Sequence, residues 1–261
     1  MERIVVVGAG HMGSVIARGL LDGMPHVEVV IVEPSAEHRA TLDSRAEAVA
    51  AYEPRPDDLV VLAIPPQAFD SFADGLPRGA CAETTVVSIM AGVRLETLAS
   101  ALDTGTVLRA MPNLASRVGQ SMTVLCPGEQ VPAAGVDRAK AALSVIGKVL
   151  VVQDESLLDA ATAVAGSGPA LVAYLAQSFT DFARSAGFTP DDAVLLTTQV
   201  LRGTADVLAE PSVTPKSLYQ QASTPHGTTA EGIATLREHR VGESVRTALE
   251  ATTERARELA G

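Results

Sequence analysis

A glycine-rich segment near the N-terminus has the spacing of a phosphate-binding turn. It reads GAGHMG at positions 8–13, after a β-branched run at 4–7 and before a stretch of helical periodicity. Gly8 permits a tight turn, Gly10 lets the backbone approach a pyrophosphate, and Gly13 lets the helix pack close to the strand. Free N–H groups at the start of that helix attract phosphate. The segment predicts a dinucleotide site, the alternative being a glycine turn that binds nothing.

Glu33 ends the next β-branched run, twenty residues after Gly13. A carboxylate at this place hydrogen-bonds the ribose hydroxyls of the adenosine and repels a 2′-phosphate. Arg39 and Arg45 would instead suit a phosphate, but both lie further into the following helix. An ordinary solvated strand end is the alternative interpretation of Glu33. We expect NAD(H) to be favoured over NADP(H).

The elements that must hold these residues alternate between short apolar runs and helical stretches. Continuous apolar runs of ~4–8 residues are typical of strands buried on both faces of a parallel sheet, and their alternation with helices predicts right-handed βαβ units. The runs lie at 4–7, 27–32, 59–64, 85–89, 107–108, 122–125 and 149–152. We therefore predict an α/β fold, with a Rossmann-type dinucleotide-binding domain over residues 1–153.

No convincing strand follows Gln153, and residues 154–261 are predicted to form an all-helical substrate and dimerisation domain. Its helices are expected at 154–164, from a Gly-Ser-Gly-Pro break at 166–169 to about 186, and at 190–210, 214–221, 227–238 and 241–259. Gly187 and the pair Thr189-Pro190 supply the stop and start signals between two of them. The Ala- and Leu-rich helices at 168–186 and 190–209 carry more apolar surface than one small domain buries, so we expect at least a dimer.

The composition excludes several classes of protein. The 261 residues are 47% hydrophobic, which rules out a disordered chain, and a net charge of −11 leaves no basic footprint for nucleic acid. The two cysteines lack a CxxC and the five histidines lack metal-ligand spacing, so no metal is expected. The first strand begins at Arg3, which leaves no room for a signal peptide, and no apolar run reaches the ~18 residues of a membrane span. We expect a soluble cytoplasmic protein.

Five further segments follow the glycine turn in a fixed order. They are AIPPQ at 63–67, SIMAGV at 88–93, RAMPN at 109–113, LDAATAVAGSGPA at 158–170 and TPHGTT at 224–229. Together with GxGxxG they resemble the pyrroline-5-carboxylate reductase family over almost the whole chain. The GSGPA and TPxGTT segments are the most specific, because generic dinucleotide folds lack them.

The resemblance implies the last step of proline synthesis, in which hydride moves from a reduced nicotinamide to the C=N carbon of 1-pyrroline-5-carboxylate. It implies a helical domain that interlocks with a partner in a homodimer, often assembled into a decamer. It places the nicotinamide near Ala91-Gly92 and the substrate carboxylate on the N–H groups of the turn at 224–229. Thr229 matches the family position whose hydroxyl is proposed to reach the ring nitrogen, and is the candidate catalytic residue.

The candidate site residues divide into two groups. Those expected to bind the cofactor are Gly8, Gly10, His11, Met12, Gly13, Glu33, Ala63, Ile64, Pro65, Ala91, Met111, Pro112 and Asn113. Those expected to bind the substrate, a cyclic imino acid, are Ser167, Gly168, Thr224, His226, Gly227, Thr228 and Thr229.

The residues of the turn at 224–229 agree with the resemblance. Thr224 is a suitable cap for the helix that follows, and free N–H groups at 227–229 would form an anion site. A simple helix cap is the alternative. The glycines on either side of Ser167 likewise indicate either a helix break or a close backbone approach to a ligand.

The chain departs from the family pattern at five positions. Pro65 replaces a common lysine, which removes a phosphate contact and agrees with NADH. The other departures are Leu114, Leu171, Gln177 and His226. Because His226 adds a side chain to the substrate turn, either as a polar contact or pointing to solvent, the departures leave a different cyclic imine open as the substrate.

Two other classes of protein share part of this pattern. A β-hydroxyacid dehydrogenase has a similar build but needs a lysine on the long helix, and Lys216 is the only lysine after position 150. A non-catalytic sensor of nicotinamide cofactor would keep GxGxxG without needing the turn at 224–229. The intact turn therefore favours the reductase.

Overall fold

The computed structural model describes residues 2–259 and divides the chain into two compact units. The first contains the residues up to Ser167 together with those from Ala251 onward, and the second is Gly168–Glu250. The sequence had placed a domain boundary after Gln153. The compact units divide later because Leu158 and Ala165 pack against Val124 and Cys126 of the sheet.

The first unit is built on one eight-stranded sheet with the order β3-β2-β1-β4-β5-β6-β7-β8. Its strands are β1 Arg3–Val7, β2 Glu28–Val32, β3 Glu47–Val49, β4 Leu59–Leu62, β5 Thr85–Ser88, β6 Val107–Met111, β7 Ser121–Pro127 and β8 Gly147–Val151. Strands β1, β4 and β5 are buried along their whole length. Burial on both faces explains the continuous apolar runs, and the predicted α/β fold is confirmed.

Two features of this sheet were not expected from the sequence. Strand β3 has only three residues, two of them exposed, and so carries no apolar run. Strand β7 pairs antiparallel with β6, whereas every other pair is parallel. The nine residues between Met111 and Ser121 are too few for a parallel crossover, which needs about a dozen or more.

Helices cover both faces of the sheet. They are α1 His11–Gly23, α2 Ala36–Arg39, α3 Phe69–Asp74, α4 Leu95–Leu102 and α5 Ala133–Ser144. On one face Ile16 and Leu20 of α1 join Leu143 of α5 in the core, and on the other face Phe69 of α3 packs with Leu98 of α4. This arrangement gathers the carboxyl ends of the parallel strands at one edge, where ligands bind in such folds.

The remaining elements are helical, as predicted. They are α6 Leu157–Ala161, a π-helical turn Thr162–Gly166, α7 Gly168–Ser185, α8 Pro190–Leu208, α9 Pro215–Gln221, α10 Thr228–Glu238 and α11 Val241–Leu259. The predicted break at 166–169 is limited to a bend at Ser167, because the π turn absorbs the irregularity. The Thr189 cap is confirmed, since its side chain accepts a hydrogen bond from the N–H of Asp192 at 3.2 Å.

Large apolar side chains remain exposed on α7 and α8. They include Tyr174, Phe179 and Phe182 on α7 and Val194, Leu195 and Val200 on α8. One helical stretch, Leu157–Ser185, is long and apolar enough to cross a membrane by length and composition, but a single stretch of this kind is weak evidence of a span.

Candidate active site

The glycine turn between β1 and α1 has the geometry that the sequence predicts. Gly8 has φ +99°, and a Cβ there would lie 2.8 Å from the carbonyl oxygen of Ala63 and 2.9 Å from Ile64 Cγ2. A Cβ at Gly13 would collide with the carbonyl of Gly8. A Cβ at Gly10 would meet no heavy atom of the described chain within 4 Å, so the space beside this residue is open to a ligand.

The N-terminus of α1 is free to bind an anion. Gly10 is its N-cap, and within residues 2–259 no side chain caps this end of the helix. His11 is exposed and Met12 half-buried in the first turn, where N–H groups lack intrahelical partners. An uncapped helix start beside the open space at Gly10 fits a pyrophosphate.

An apolar cavity of about 330 Å³ adjoins this turn. Its walls include Gly8, Val32, Pro34, Ile64 and Phe72. Its position at the ends of β1, β2 and β4 and its apolar walls suit an adenine ring. Sequence reasoning found Gly8 and Ile64 but missed Pro34 and Phe72. These two residues shape the wall of the cavity and belong to no recognisable sequence motif.

Glu33 lies directly after β2 and is largely buried. Its carboxylate accepts a hydrogen bond from the N–H of Ser35 at 2.9 Å and lies 3.4 Å from Nδ1 of His38. Arg39 directs its guanidinium to the carbonyl oxygens of Glu33 and Pro34, both at 2.7 Å. These bonds fix the carboxylate at the edge where the adenosine ribose would lie.

Arg45, the other cation considered for a phosphate, has acidic partners. Its guanidinium pairs with Asp43 at 2.7 Å and with Asp22 at 2.8 Å. The hydrogen bonds from Arg45 lower the pKa of Asp43 to about 2. Arg45 is therefore neutralised by these carboxylates.

The predicted nicotinamide segments follow β5 and β6 at the same edge of the sheet. Gly92 has φ +78°, which produces a sharp turn before α4. Met111 packs against the π turn, since a Cβ at Gly166 would lie 3.6 Å from Met111 Cγ and Sδ. Ser167 follows that turn directly, so one predicted substrate residue lies next in sequence to the segment that contacts Met111.

Asn113 is buried, and its side chain is already engaged. Its Nδ2 donates to the carbonyl of Ala165 at 2.9 Å, and its Oδ1 accepts from the N–H of Ala115 at 3.0 Å. The backbone N–H of Asn113 donates to Oγ of Ser121 at 3.0 Å. The side chain therefore ties the segment after β6 to the π turn, while contact with the cofactor stays a prediction.

Near these segments lies a partly buried charged pair that sequence reasoning missed. Arg109 of β6 donates to Glu155 at 2.6 Å. Burial and the charge of Glu155 together raise the pKa of the nearby Cys126 to about 11, although Arg109 opposes the shift, so the thiol is neutral at ordinary pH. The only available signal was an arginine inside an apolar strand, directly before AMPN.

The turn at 224–229 lies in the second unit and precedes α10. The N–H of Gly227 donates to the carbonyl of Thr224 at 2.9 Å, which closes a tight turn. The expectation that Thr224 caps the helix is wrong, because the N-cap is Gly227 and no described side chain bonds this helix end. The hydrogen bond within the turn uses the backbone of Thr224 instead, and Thr228 and Thr229 are exposed in the first turn of α10.

His226 occupies a backbone conformation that favours glycine. Its φ is +59°, and its side chain is exposed. A left-handed conformation is unfavourable for a residue with a Cβ. The departure from the family pattern at this position therefore carries a conformational cost.

Comparisons with known proteins identify both parts of the chain. Residues 155–259 match the model of the pyrroline-5-carboxylate reductase dimerisation domain, and residues 3–92 match that of the coenzyme F420-dependent NADP oxidoreductases. The pyrroline-5-carboxylate reductase of Pseudomonas aeruginosa is 34% identical over 99% of this chain and 97% of its own.

Solved structures agree with this assignment. That of a pyrroline-5-carboxylate reductase from Coxiella burnetii has a TM-score of 0.93 and 26% identity over 99% of this chain and 98% of its own. The Plasmodium falciparum pyrroline carboxylate reductase with NADP bound has a TM-score of 0.86 and 20% identity over 100% and 98% of the two chains, a likeness of fold. The protein described here belongs to the pyrroline-5-carboxylate reductase family.

Proposed function

We propose that this protein reduces 1-pyrroline-5-carboxylate to L-proline with a reduced nicotinamide dinucleotide. The observation that carries the proposal is the full-length relationship to the Pseudomonas aeruginosa reductase, 34% identical over 99% of the chain. Two features agree with it: an uncapped helix start beside the open space at Gly10, and a second uncapped helix start at Gly227. Both ligands are anions, and uncapped helix starts bind anions.

The proposed chemistry needs few side chains. The reduced nicotinamide, when bound, supplies the hydride. Residues Ala91, Met111 and Pro112 would orient the ring, while the N–H groups of residues 227–229 would hold the substrate carboxylate. The hydroxyl of Thr229 would donate a hydrogen bond to the unprotonated ring nitrogen, hold the imine in place and help supply the proton that this nitrogen takes up. A protonated imine is already electrophilic, so alignment and exclusion of water supply most of the rate.

NADH is the proposed preferred cofactor. The carboxylate of Glu33 is held after β2 by Ser35, where it would accept bonds from the ribose hydroxyls and repel a 2′-phosphate. Pro65 supplies no cation at the position where the family commonly has lysine. The Plasmodium falciparum enzyme has NADP bound, so cofactor choice differs within the family if this proposal holds.

A homodimer is the proposed minimal assembly, and five such dimers would form the larger decamer. The matched dimerisation domain includes α7 and α8, which expose Phe182 and Leu195. A patch of large apolar side chains on a helical face is typical of a protein–protein interface. We place the protein in the cytoplasm, as expected of a biosynthetic enzyme.

A substrate panel tests the proposed reaction. Oxidation of NADH and of NADPH is followed in parallel with pyrroline-5-carboxylate, piperideine carboxylates and other cyclic imines. The proposal predicts the highest kcat/KM for pyrroline-5-carboxylate and at least about a tenfold preference for NADH, which corresponds to ~1.4 kcal/mol. A higher kcat/KM for another imine would contradict pyrroline-5-carboxylate as the substrate. Binding of NADH without turnover of any imine would contradict the proposal that the protein is an enzyme.

A further inference from the structure

One oxygen of Glu155 joins two distant parts of the first unit. Its Oε1 accepts a hydrogen bond from Nη1 of Arg109 at 2.6 Å and a second from the backbone N–H of Leu95 at 2.8 Å. The two donors lie 46 and 60 residues away in sequence. Such bonds across the fold hold their segments in a fixed relation, and a charged acceptor makes each of them stronger than a neutral one.

The bond to Leu95 caps helix α4. The N-cap residue is Arg94, and it makes no side-chain capping bond within the described part of the chain. Leu95 is the first helical residue, so its N–H has no partner inside the helix. Glu155 provides that partner and a negative charge at the helix start, where both are favourable. The loop with Ala91 and Gly92 runs directly into this helix end, so Glu155 fixes one side of the predicted nicotinamide pocket.

The bond to Arg109 fixes the other side. The Arg109 side chain is 5% exposed, and Glu155 is its ion-pair partner. Loss of the partner would leave a buried charge without compensation, a costly state that the surrounding structure would move to avoid. Met111 follows Arg109 by two residues on β6, so a shift of Arg109 moves the segment on which the ring would lie.

Glu155 also begins the segment that leads to the π turn. The N–H of Leu158 donates to its carbonyl at 3.0 Å as α6 starts. The π turn follows α6, and there Gly166 approaches Met111 while Ala165 accepts the bond from Asn113. Three segments that the sequence assigns to the nicotinamide or the substrate are thus held through this one residue and its neighbours. Met111 and Asn113 were predicted to bind the cofactor, but nothing in the sequence indicated a role for Glu155.

We propose that Glu155 is a positioning residue that sets the nicotinamide pocket by holding the loop at 91–94 and strand β6 together. The inference rests on the proposed function in one respect, the placement of the nicotinamide beside Ala91 and Met111. Both bonds end on the same oxygen, so the two segments are held by the reach of the side chain, and the pair with Arg109 also needs its negative charge. The adenosine half of the cofactor would bind independently of Glu155, because this residue does not line the apolar cavity and, within residues 2–259, its carboxylate bonds to Leu95 and Arg109 rather than to Gly8 or Glu33.

The test compares binding of NADH with binding of ADP-ribose, which has the adenosine, pyrophosphate and second ribose but no nicotinamide. Titration calorimetry gives both dissociation constants for each variant, and steady-state assays give kcat and KM. The ratio of NADH affinity to ADP-ribose affinity reports the nicotinamide pocket alone. A loss of folded protein lowers the active fraction but leaves this ratio unchanged.

Three substitutions separate reach from charge. Glu155→Gln keeps an oxygen at the same place without the charge, Glu155→Asp keeps the charge on a shorter side chain, and Glu155→Ala removes both. The matched control is Glu2→Ala, which breaks another partly buried arginine pair, to Arg138 at 2.8 Å. Glu2 is 32% exposed against 25% for Glu155, and it precedes the amino end of β1, away from the carboxyl edge.

We expect Glu155→Ala and Glu155→Asp to lower the affinity ratio about tenfold, the effect of losing a charged hydrogen bond. Their kcat should fall by at least a similar factor, since small misplacement is costly. Glu155→Gln keeps the reach but removes the counter-charge of Arg109, so its ratio should fall by less than that of Glu155→Ala, and Glu2→Ala should not change the ratio. An unchanged ratio in Glu155→Ala or in Glu155→Asp overturns the proposal, as does an equal fall of the ratio in Glu2→Ala. Failure of the proposed function looks different, because the wild type then turns over no pyrroline-5-carboxylate.

Discussion

Glu33 and Thr229 are the two side chains proposed to recognise the ligands, and each would do so through an oxygen atom rather than a cation. The chain has only three lysines, Lys140, Lys148 and Lys216, and a net charge of −11. Although arginines make up the rest of the 20 basic residues, the acidic surplus opposes the binding of the two anionic ligands proposed above. The free N–H groups at the starts of α1 and α10 provide neutral donors for this purpose. Side chains would then need only to discriminate between NADH and NADPH and to orient the imine.

Cofactor choice tests the role of Glu33. In Glu33→Gln the side chain keeps its shape but no longer repels a 2′-phosphate, so the ratio of kcat/KM for NADH over NADPH should fall about tenfold. Glu37→Gln, an exposed neighbour on α2, is the control and should leave the ratio unchanged. An equal fall in both variants would assign the effect to the general acidity of this surface.

The hydroxyl of Thr229 is tested by kinetics. Thr229→Ala should lower kcat about a hundredfold while the dissociation constant of NADH stays the same, because the lost donor would act on the imine and not on the cofactor. Thr229→Ser keeps the hydroxyl and should recover most of the rate. Thr235→Ala, on the same helix, is the control. A normal kcat in Thr229→Ala would remove this residue from the mechanism.

Among the helices and strands, the sequence predicted those that are buried on both faces or begin with a strong helix-start signal. The buried strands were found because their runs are continuous, and α8 was found because Thr189 and Pro190 mark its start. The edge strand β3 was missed because it is short and mostly exposed. The π turn at 162–166 was not predicted: the sequence indicated an ordinary helix to 164 and a break at 166–169, because Gly166 resembles a helix stop and local spacing does not reveal a wider helical turn.

The candidate site was predictable to the same extent. The glycine turn follows from local chemistry: Gly8 and Gly13 lie in close contact with neighbouring atoms and Gly10 borders open space, as the sequence predicts. The cavity beside Ile64 and the link from Glu155 to Leu95 were not predictable, because they join residues that only the folded sheet brings together. The helix predicted at 227–238 is α10, but its cap was assigned to Thr224 instead of Gly227, because a threonine before a helix resembles a cap even when its backbone closes a turn.

The turn before α10 contains a histidine in a left-handed backbone conformation. His226 has φ +59°, so His226→Gly should raise the free energy of unfolding by about 0.5 kcal/mol by removing the strain. His239→Gly is the matched control, because His239 has φ −81° and glycine there only adds freedom to the unfolded chain. Chemical denaturation measures both variants. Destabilisation by both substitutions would show that the turn is unstrained.

At the scale of the whole molecule, the low aromatic content has a consequence for assembly. Aromatic residues are 3% of the chain, yet Tyr174, Phe179 and Phe182 are all exposed on α7. Exposure of these side chains on a helix of the matched dimerisation domain would be unfavourable in an isolated chain. The subunit interface proposed above would account for their position.

The assembly is tested by introducing charge into this surface. Phe182 and Leu195 are 74% and 66% exposed. The double variant Phe182→Asp/Leu195→Asp should sediment as a monomer of 27.0 kDa. The wild type should sediment as a dimer or as a multiple of a dimer. A buried unpaired charge at an interface is strongly unfavourable. Leu150→Asp, on exposed β8, is the control and should keep the wild-type mass. A monomeric wild type would contradict the proposed dimer.

The central claim is that hydride passes from the nicotinamide to the imine carbon of pyrroline-5-carboxylate, and isotope transfer tests it most directly. The protein is incubated with pyrroline-5-carboxylate and NADH that carries deuterium at both C4 positions, and the product is analysed by mass spectrometry and NMR. The account predicts L-proline with a single deuterium at C5, formed in equal amount to the NADH consumed. Unlabelled proline, or NADH consumption without proline, would contradict it.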